Sequence, residues 1–322
     1  NTSIRTADST PLLYSGVLSN KGIEIKLNTI PVKTKNWQWD LGFNFARNSN
    51  KVHSLGESQM YEVENAEWVG AAGVRVMAVV GEELGTIMGK DYKRNENGEI
   101  IVDPTTGIPS VSDNYTALGN AHWKFTGGMY TNVRFKNWNL SAIFDIKVGA
   151  DLYTSTMRGT YSSGRSKKTL KGRDGWYQSE EGRLAAGLET AAWNPTGGYL
   201  VDGVVQVKNE DGRISWAPNT RYCHPESYWT FISNNIPQFF VLANSYVKIR
   251  AMTLSYSFPR RMIGKELDGV TLSFVARNRL IIFKNVPNID PDSNYNNGNG
   301  KGIEYGSLPS RRSFGFNINL KF

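Results

Sequence analysis

The chain has 322 residues, of which 39% are hydrophobic and 20% charged, with a net charge of +8. No stretch approaches the ~18 consecutive apolar residues that a membrane-spanning helix needs, so a helical membrane protein is excluded. The single cysteine, Cys223, excludes an internal disulfide, and the basic residues are scattered along the chain without forming a stripe, which argues against nucleic acid as a partner.

In chain order, seven segments alternate apolar and polar side chains, the pattern that puts the two kinds on opposite faces of a strand. The first covers residues 22–30, with Ile23, Ile25 and Leu27 on one face. The second sets Trp37, Trp39, Leu41, Phe43 and Phe45 against Gln38, Asp40, Gly42 and Asn44. The third carries Trp123, Phe125, Met129, Val133 and Phe135. The fourth sets Trp138, Leu140, Ala142, Phe144, Ile146 and Val148 against Asn139, Ser141, Asp145 and Lys147. The fifth, 246–258, slips phase near Ala251 and Met252: Val247 and Ile249 fit one register, Leu254, Tyr256 and Phe258 the other. A β-bulge there reconciles the two. The sixth includes Val270, Leu272, Phe274 and Ala276. The seventh ends the chain, with Phe314, Phe316, Ile318, Leu320 and Phe322 at strict period two against Ser313, Gly315, Asn317, Asn319 and Lys321.

The connections alternate in length. Residues 33–36, 136–137 and 259–268 are short turns, whereas 49–121, 150–245 and 284–310 are long. Within the long ones, 77–88 reads as a β excursion. Residues 180–193 read as a short helix with Leu184, Leu188 and Ala191 on one side, and 95–98 and 103–107 carry turn chemistry.

Together these features point to an all-β fold: a segment of a transmembrane antiparallel β-barrel. A strand of ~10 residues crosses a bilayer when tilted, and barrels combine short turns on one side with long loops on the other. Nine Trp, fifteen Tyr and fourteen Phe suit the aromatic girdles of such a wall, with Trp37, Trp123 and Trp138 as the expected girdle residues. A Lys or Arg facing lipid near the midplane would cost ~2–4 kcal/mol, so Lys124, Arg134, Asp145 and Lys147 are expected to face the lumen. If the last strand ends in the periplasm, the long loops are extracellular. Bacterial barrels have an even number of at least ~8 strands, and lipid cannot satisfy open sheet edges. Seven strands therefore imply a larger assembly. A secreted β-sandwich binding protein could produce the same alternation and stays as the soluble alternative.

Several segments taken in order resemble the SusC/RagA-type TonB-dependent transporters: "SNKGIEIKLNTIPVKTKNWQWDLGFNFARNSNKV", "VGEELGTIMGKDYKRNENGEIIV", "LGNAHWKFTGGMYTNVRFKNWNLSAIFDIKVGADLY", "SYVKIRAMTLSYSFP" and "SLPSRRSFGFNINLKF". "NIDPD", with Asp292 as the second acid, is similar to the family's Asp-Pro-acid stretch. The aromatic carboxy-terminal Phe322 matches the insertion signal of outer-membrane barrels, which assigns that role to the terminal strand of Phe314, Phe316, Ile318, Leu320 and Phe322. The resemblance covers nearly the whole chain and implies the last third of a 22-stranded outer-membrane barrel. It also implies an amino-terminal plug and TonB contact lying outside this chain, a SusD-like surface lipoprotein as lid, and uptake of oligosaccharides or peptides. A siderophore or cobalamin receptor of the wider TonB-dependent class is the second transport reading.

No catalytic constellation or cofactor motif emerges. His53, His122 and His224 are too widely spaced for a metal site. Asp290, Asp292, Asn294 and Asn296 hint at a calcium loop, but Tyr295 and Lys301 stand where that motif needs Gly and Glu. The glycine-rich 298–302 lacks the strand–helix setting of a phosphate loop. The candidate contacts for substrate or lid are the aromatic residues of the second long loop, Trp176, Tyr177, Trp193, Trp216, Tyr222, Tyr228 and Trp229, with Arg221 and Asn219 as hydrogen-bonding neighbours. The competing expectation is that these rings pack the loop itself.

Overall fold

Seven strands pair in chain order into one antiparallel sheet. They are β1 (Gly16–Lys33), β2 (Trp37–Leu55), β3 (Phe125–Phe135), β4 (Trp138–Thr154), β5 (Val241–Ser257), β6 (Gly269–Lys284) and β7 (Ser313–Lys321). The computed structural model of the chain describes residues 16–65, 73–190, 193–210, 212–264, 266–293 and 301–322. All seven expected strands are present, and several run further than their alternation. β2 has 19 residues, well beyond the ~9–11 that cross a bilayer. Its stretch from Arg47 to Lys51 has no apolar face to read and is carried by backbone pairing with β1; beyond it the buried Val52 exchanges backbone hydrogen bonds with Gly81 and Glu82 of the first connection.

The register lines side chains up in rows across the whole sheet. Val32, Trp39, Val133, Leu140, Leu254, Phe274 and Phe316 are successive partners, one from each strand. The next row is Lys33, Gln38, Arg134, Asn139, Ser255, Ser273 and Asn317. One face of the wall is thus apolar and the other polar over seven strands. The apolar face is left uncovered by the described residues, with Phe316 76% and Ile318 64% exposed. An apolar surface this continuous would be a large liability in water and needs lipid or a partner against it. Beside the short turns, Trp37 tilts against Phe135 with ring centroids 4.3 Å apart, and Trp138 against Tyr256 at 4.8 Å. This belt fits a girdle. Trp123 does not belong to it. It precedes β3 and packs on the polar face, edge-on to Tyr246 at 5.7 Å and beneath the Lys147 ammonium, because the strand begins only at Phe125.

The phase slip in β5 is a bulge. Against β4 the register shifts between Ile249 and Ala251 with Arg250 as the extra residue; against β6 the shift at the same place puts the extra residue on β6, between Arg277 and Leu280.

The long connections are not separate loops but one folded layer at a single end of the sheet. The first contributes a four-stranded sheet of Met60–Asn65, Arg75–Val79, Thr86–Gly89 and Thr116–Asn120, so the β excursion expected at 77–88 is real. The turns at 95–98 and 103–107 form as their chemistry dictates. The Asn95 and Asp103 side chains each accept two backbone N–H bonds, and Gly98 and Gly107 take positive φ. The second connection holds helices α1 (Ser155–Ser162), α2 (Arg173–Ala185) and α3 (Pro225–Asn235). The helix expected at 180–193 is displaced. It begins at Arg173, and Gly187 at φ +65° ends it, leaving Leu188 beyond the helix; Ala191 lies outside the described residues. Gly175 and Gly182 within it blur the helical pattern in the sequence. All three connections share one core: Val76 and Ile87 from the first, Tyr161, Trp229, Ile232 and Phe240 from the second, Ile303 from the third. Among the described residues no helix is long and apolar enough to cross a membrane.

Candidate functional site

Two features of the layer and the wall concern function: a charged clasp on the polar face and an aromatic cavity in the second connection. The clasp is built by the bulge. On the polar face of β4 and β5 stand Asp145, Lys147, Tyr246 and Lys248, and the bulge swings Arg250 onto the same side. The segment 286–293 folds back onto this face. Lys248, 3% exposed, donates to Asp290, itself 7% exposed, and also to Asp292 at 3.2 Å. Arg250 bridges Asp145 and Asp292, Tyr246 donates to Asp292, and Lys147 lies 3.6 Å from it. The Ser310 N–H donates to the other oxygen of Asp290 at 2.9 Å, and Asn244 holds the Pro291 carbonyl at 2.9 Å. Burial pushes the Asp290 carboxyl up, but the bonds from Lys248, Ser310 and Asp292 outweigh it and hold it below the usual carboxylate range. Asp292 is likewise lowered, burial notwithstanding, by Tyr246, Lys248, Arg250 and Lys147.

These contacts place the sequence-predicted lumen residues. Asp145 and Lys147 are on the polar face, but their charges are met within the chain by Arg250 and Asp292. Arg134 is on the polar face near the short turns, beside Lys136, Asn139 and Ser255. Lys124 sits just ahead of β3 with its stem against Gly149, where an added Cβ would come within 2.8 Å. Asp290 and Asp292 serve the clasp; Asn294 and Asn296 of the hinted calcium loop lie outside the described residues, and no metal-binding cluster occurs among those described. Lys248 and Arg250 were missed by sequence reasoning. Their signal was the phase slip itself, which announces a bulged residue without saying where its side chain goes.

The cavity lies between α2 and the start of α3, with a volume of about 330 Å³, lined by Tyr161, Arg173, Trp176, Tyr177, His224, Glu226 and Trp229 among others. Trp176 meets Trp193 and His224 edge-on at 5.0 and 4.9 Å. Behind it, Tyr161 and Trp229 pack at 4.8 Å. His224 caps α3: its Nδ1 accepts the Glu226 N–H at 3.1 Å, and Pro225 opens the helix. Cys223 is buried, which pushes its thiol up to about 12, and it donates to the Tyr199 carbonyl. The adjacent Cys223 and His224 thus have structural work rather than shared chemistry.

The predicted aromatic contacts divide sharply. Trp176, Tyr177 and Trp229 line the cavity, with Tyr177 61% exposed at its rim. Trp193, Tyr228 and Trp229 are core residues of the layer, each less than a tenth exposed, and Tyr228 stacks on Tyr199 at 4.0 Å. For Trp193 and Tyr228 the packing expectation holds. Trp216 donates to Glu96 at 2.9 Å and Tyr222 pairs with Leu200; neither joins the cavity. The Arg221 guanidinium is spent on Asn194 and the Trp193 carbonyl, and the buried Asn219 amide on the Val201 carbonyl. Both therefore hold the loop rather than face a ligand. Tyr161, Arg173, His224 and Glu226 are cavity residues that no spacing in the sequence signals, because three segments bring them together.

Two curated relatives from Formosa agariphila match this chain. TonB-dependent receptor P3 is 24% identical over 332 residues, covering 95% of this chain and 29% of its own. TonB-dependent receptor P26 is 24% identical over 351 residues, covering 99% and 30%. Among solved structures, that of the RagAB peptide transporter matches with a TM-score of 0.59 at 16% identity, over 95% of this chain and 30% of the other. The RagAB peptide importer in its "closed-closed" state matches at 0.60 and 17%, with the same coverage. The chain has the fold of a barrel segment of these transporters and is similar in sequence to TonB-dependent receptors. No protein-family model matches it, and it spans about 30% of the length of the relatives it matches. By that likeness the two-faced sheet is barrel wall, with the clasp on its polar face and the shared-core layer at one end.

Proposed function

We propose that the chain is the carboxy-terminal portion of an outer-membrane importer with a 22-stranded barrel. In this reading it works by TonB-dependent uptake of oligosaccharides or peptides, under a SusD-like surface lipoprotein lid. The observation that carries the reading is the wall of seven strands, its rows continuous from strand to strand, apolar on one face and polar on the other, surmounted by a folded loop layer. TonB-dependent receptors align with this arrangement from end to end. In this reading the short turns are periplasmic and the loop layer extracellular. The terminal strand, Phe314 to Phe322, guides insertion. The aromatic cavity and Tyr177 face captured substrate or the lid. The clasp fixes segment 286–293 inside the lumen, where it narrows the path beside the plug. No bond is made or broken in the cargo; capture between loops and lid precedes rearrangement of the plug.

The test is uptake by cells carrying the full-length receptor, with and without TonB, using labelled glycans, peptides, iron chelates and cobalamin. TonB-dependent accumulation of a glycan or peptide is the expected result. Uptake restricted to iron chelates or cobalamin would move the receptor to the other branch of the class. A full-length protein that is monodisperse without detergent would sink the barrel reading altogether.

A further inference from the structure

The cavity opens beside a concentration of positive charge that the chain-wide scatter of basic residues conceals. Residues 165–173 contain Arg165, Lys167, Lys168, Lys171 and Arg173 and no acid. Arg165, Lys167, Lys168 and Lys171 are exposed, and none of them has an ion-pair partner among the described residues. The run is not a loose tail. Lys167 to Leu170 form a single helical turn. Its anchor is Thr169, 1% exposed, whose hydroxyl donates to the Gly164 and Ser166 carbonyls at 3.0 and 2.7 Å. Arg173 closes the turn from below, donating to the Thr169 and Gly164 carbonyls. The Lys171 ammonium sits 5.3 Å above the Tyr199 ring. Like charges held this close repel one another, so a fold that pins them there gains when an anion arrives. The acids nearby are Asp174, which follows the run, and Glu226 on the cavity wall; they do not balance five cations.

The same backbone turn forms one side of the cavity, through Gly164, Thr169 and Arg173, and the aromatic faces of Trp176 and Tyr177 continue from it. Flat aromatic faces offer packing area to a sugar ring, and a cavity of about 330 Å³ is at the lower end of the ~300–1,000 Å³ range of small-ligand pockets. We infer that this corner of the loop layer binds an anionic oligosaccharide, its rings against Trp176 and Tyr177 and its carboxylate or sulfate groups on Arg165, Lys167, Lys168 and Lys171. The inference rests on the importer reading and narrows its cargo to one chemical class. An acidic peptide could satisfy the cations but would leave Trp176 and Tyr177 without a sugar ring to pack against; a lipid phosphate would likewise use the charge alone.

The test is direct binding to the full-length receptor in detergent. The probes are a uronate hexasaccharide, a sulfated hexasaccharide, neutral maltohexaose, hexaglutamate and lipopolysaccharide. At least one anionic hexasaccharide should bind about tenfold or more tightly than maltohexaose, and more weakly as salt shortens the screening length. The charge-reversed K167E/K168E/K171E receptor should lose about tenfold or more of that affinity, and Tyr177→Ala several-fold. All three lysines and the tyrosine are exposed, and unchanged heat-modifiable migration of the barrel controls for folding. Equal binding of neutral and anionic sugars, indifference to the charge reversal, or binding of hexaglutamate or lipopolysaccharide alone overturns the inference. Uptake separates it from the importer reading: if TonB-dependent import of a neutral glycan or peptide proceeds normally in the charge-reversed receptor, import stands and the anionic assignment falls.

Discussion

Lys248→Met is the perturbation that isolates the clasp. Lys248 and Asp290 are 3% and 7% exposed. Removing one partner of a buried ion pair leaves an uncompensated charge and costs ~3–5 kcal/mol, whereas replacing both by apolar groups is often neutral. Asp290 would keep the bonds from Ser310 and the Asp292 N–H, which sets the expectation at the lower end, ~3 kcal/mol or roughly 100-fold in the opening equilibrium of segment 286–293. Arg250→Met is the internal control. Its guanidinium side chain is 33% exposed, and pairs of that kind are worth only ~0–1 kcal/mol. The assay is hydrogen exchange at the Asp292 and Ser310 amides, both of which donate to Asp290. Lys248→Met should speed their exchange roughly 100-fold and Arg250→Met by less than about tenfold. If Lys248→Met and Arg250→Met behave alike, the clasp is not held by a buried pair and the reasoning fails.

Because Asp290 and Asp292 titrate below the ordinary carboxylate value of ~3.9, the clasp's contribution is fully present above that value and is lost as pH falls through the lowered folded-state values. Protection of the same amides, corrected for intrinsic exchange, should be flat from neutral pH down to about 5 and fall only in acid; a midpoint near pH 6 would contradict this. Leu140→Arg puts a charge on the apolar face and should lower barrel stability by ~2–4 kcal/mol if that position is near the midplane. Asn139→Arg, on the polar face one residue away, should be tolerated; folding titrations in lipid vesicles compare them. Gly172 has φ +86°, and a Cβ there would meet the Gly198 carbonyl oxygen at 2.4 Å. Gly172→Ala should therefore cost at least the ~1–2 kcal/mol of a left-handed Ala and expose the loop layer to protease. Gly182→Ala, with open space around it in α2, should be neutral or stabilising by up to ~1 kcal/mol.

The wall was legible because a half-buried strand writes its two faces at period two. Trp138 to Val148 and Phe314 to Phe322 needed no other information, and even the bulge at Arg250 was visible as a phase slip. Strand ends were less legible: from Arg47 to Lys51 both faces of β2 are polar, and pairing with β1 and with Gly81 and Glu82 of the first connection extends it. Trp123 was misplaced because period two was extended past the point where the strand begins. The loop layer was legible only in pieces. Its turns are local chemistry, but its core joins Val76, Trp229 and Ile303 across more than two hundred residues, and no local pattern reports that. For the same reason the sequence left open whether Trp193 and Tyr228 pack the loop or meet a ligand, and they pack it, while Arg173 and His224 gave no sign of sharing a cavity.

The central claim is that one face of this sheet meets lipid and the other an aqueous lumen. Cys223 is the chain's single cysteine, so a full-length receptor in which it and every cysteine outside this chain are replaced by Ala accepts one spin label at a time along β4, from Trp138 to Ile146, in lipid vesicles. The account predicts period-two accessibility. Labels at 138, 140, 142, 144 and 146 should be relaxed by oxygen dissolved in lipid. Those at 139, 141, 143 and 145 should respond to a water-soluble nickel complex, with 145 damped by the clasp. Uniform accessibility to the aqueous reagent at all nine positions, or an alternation of the opposite phase, would contradict it.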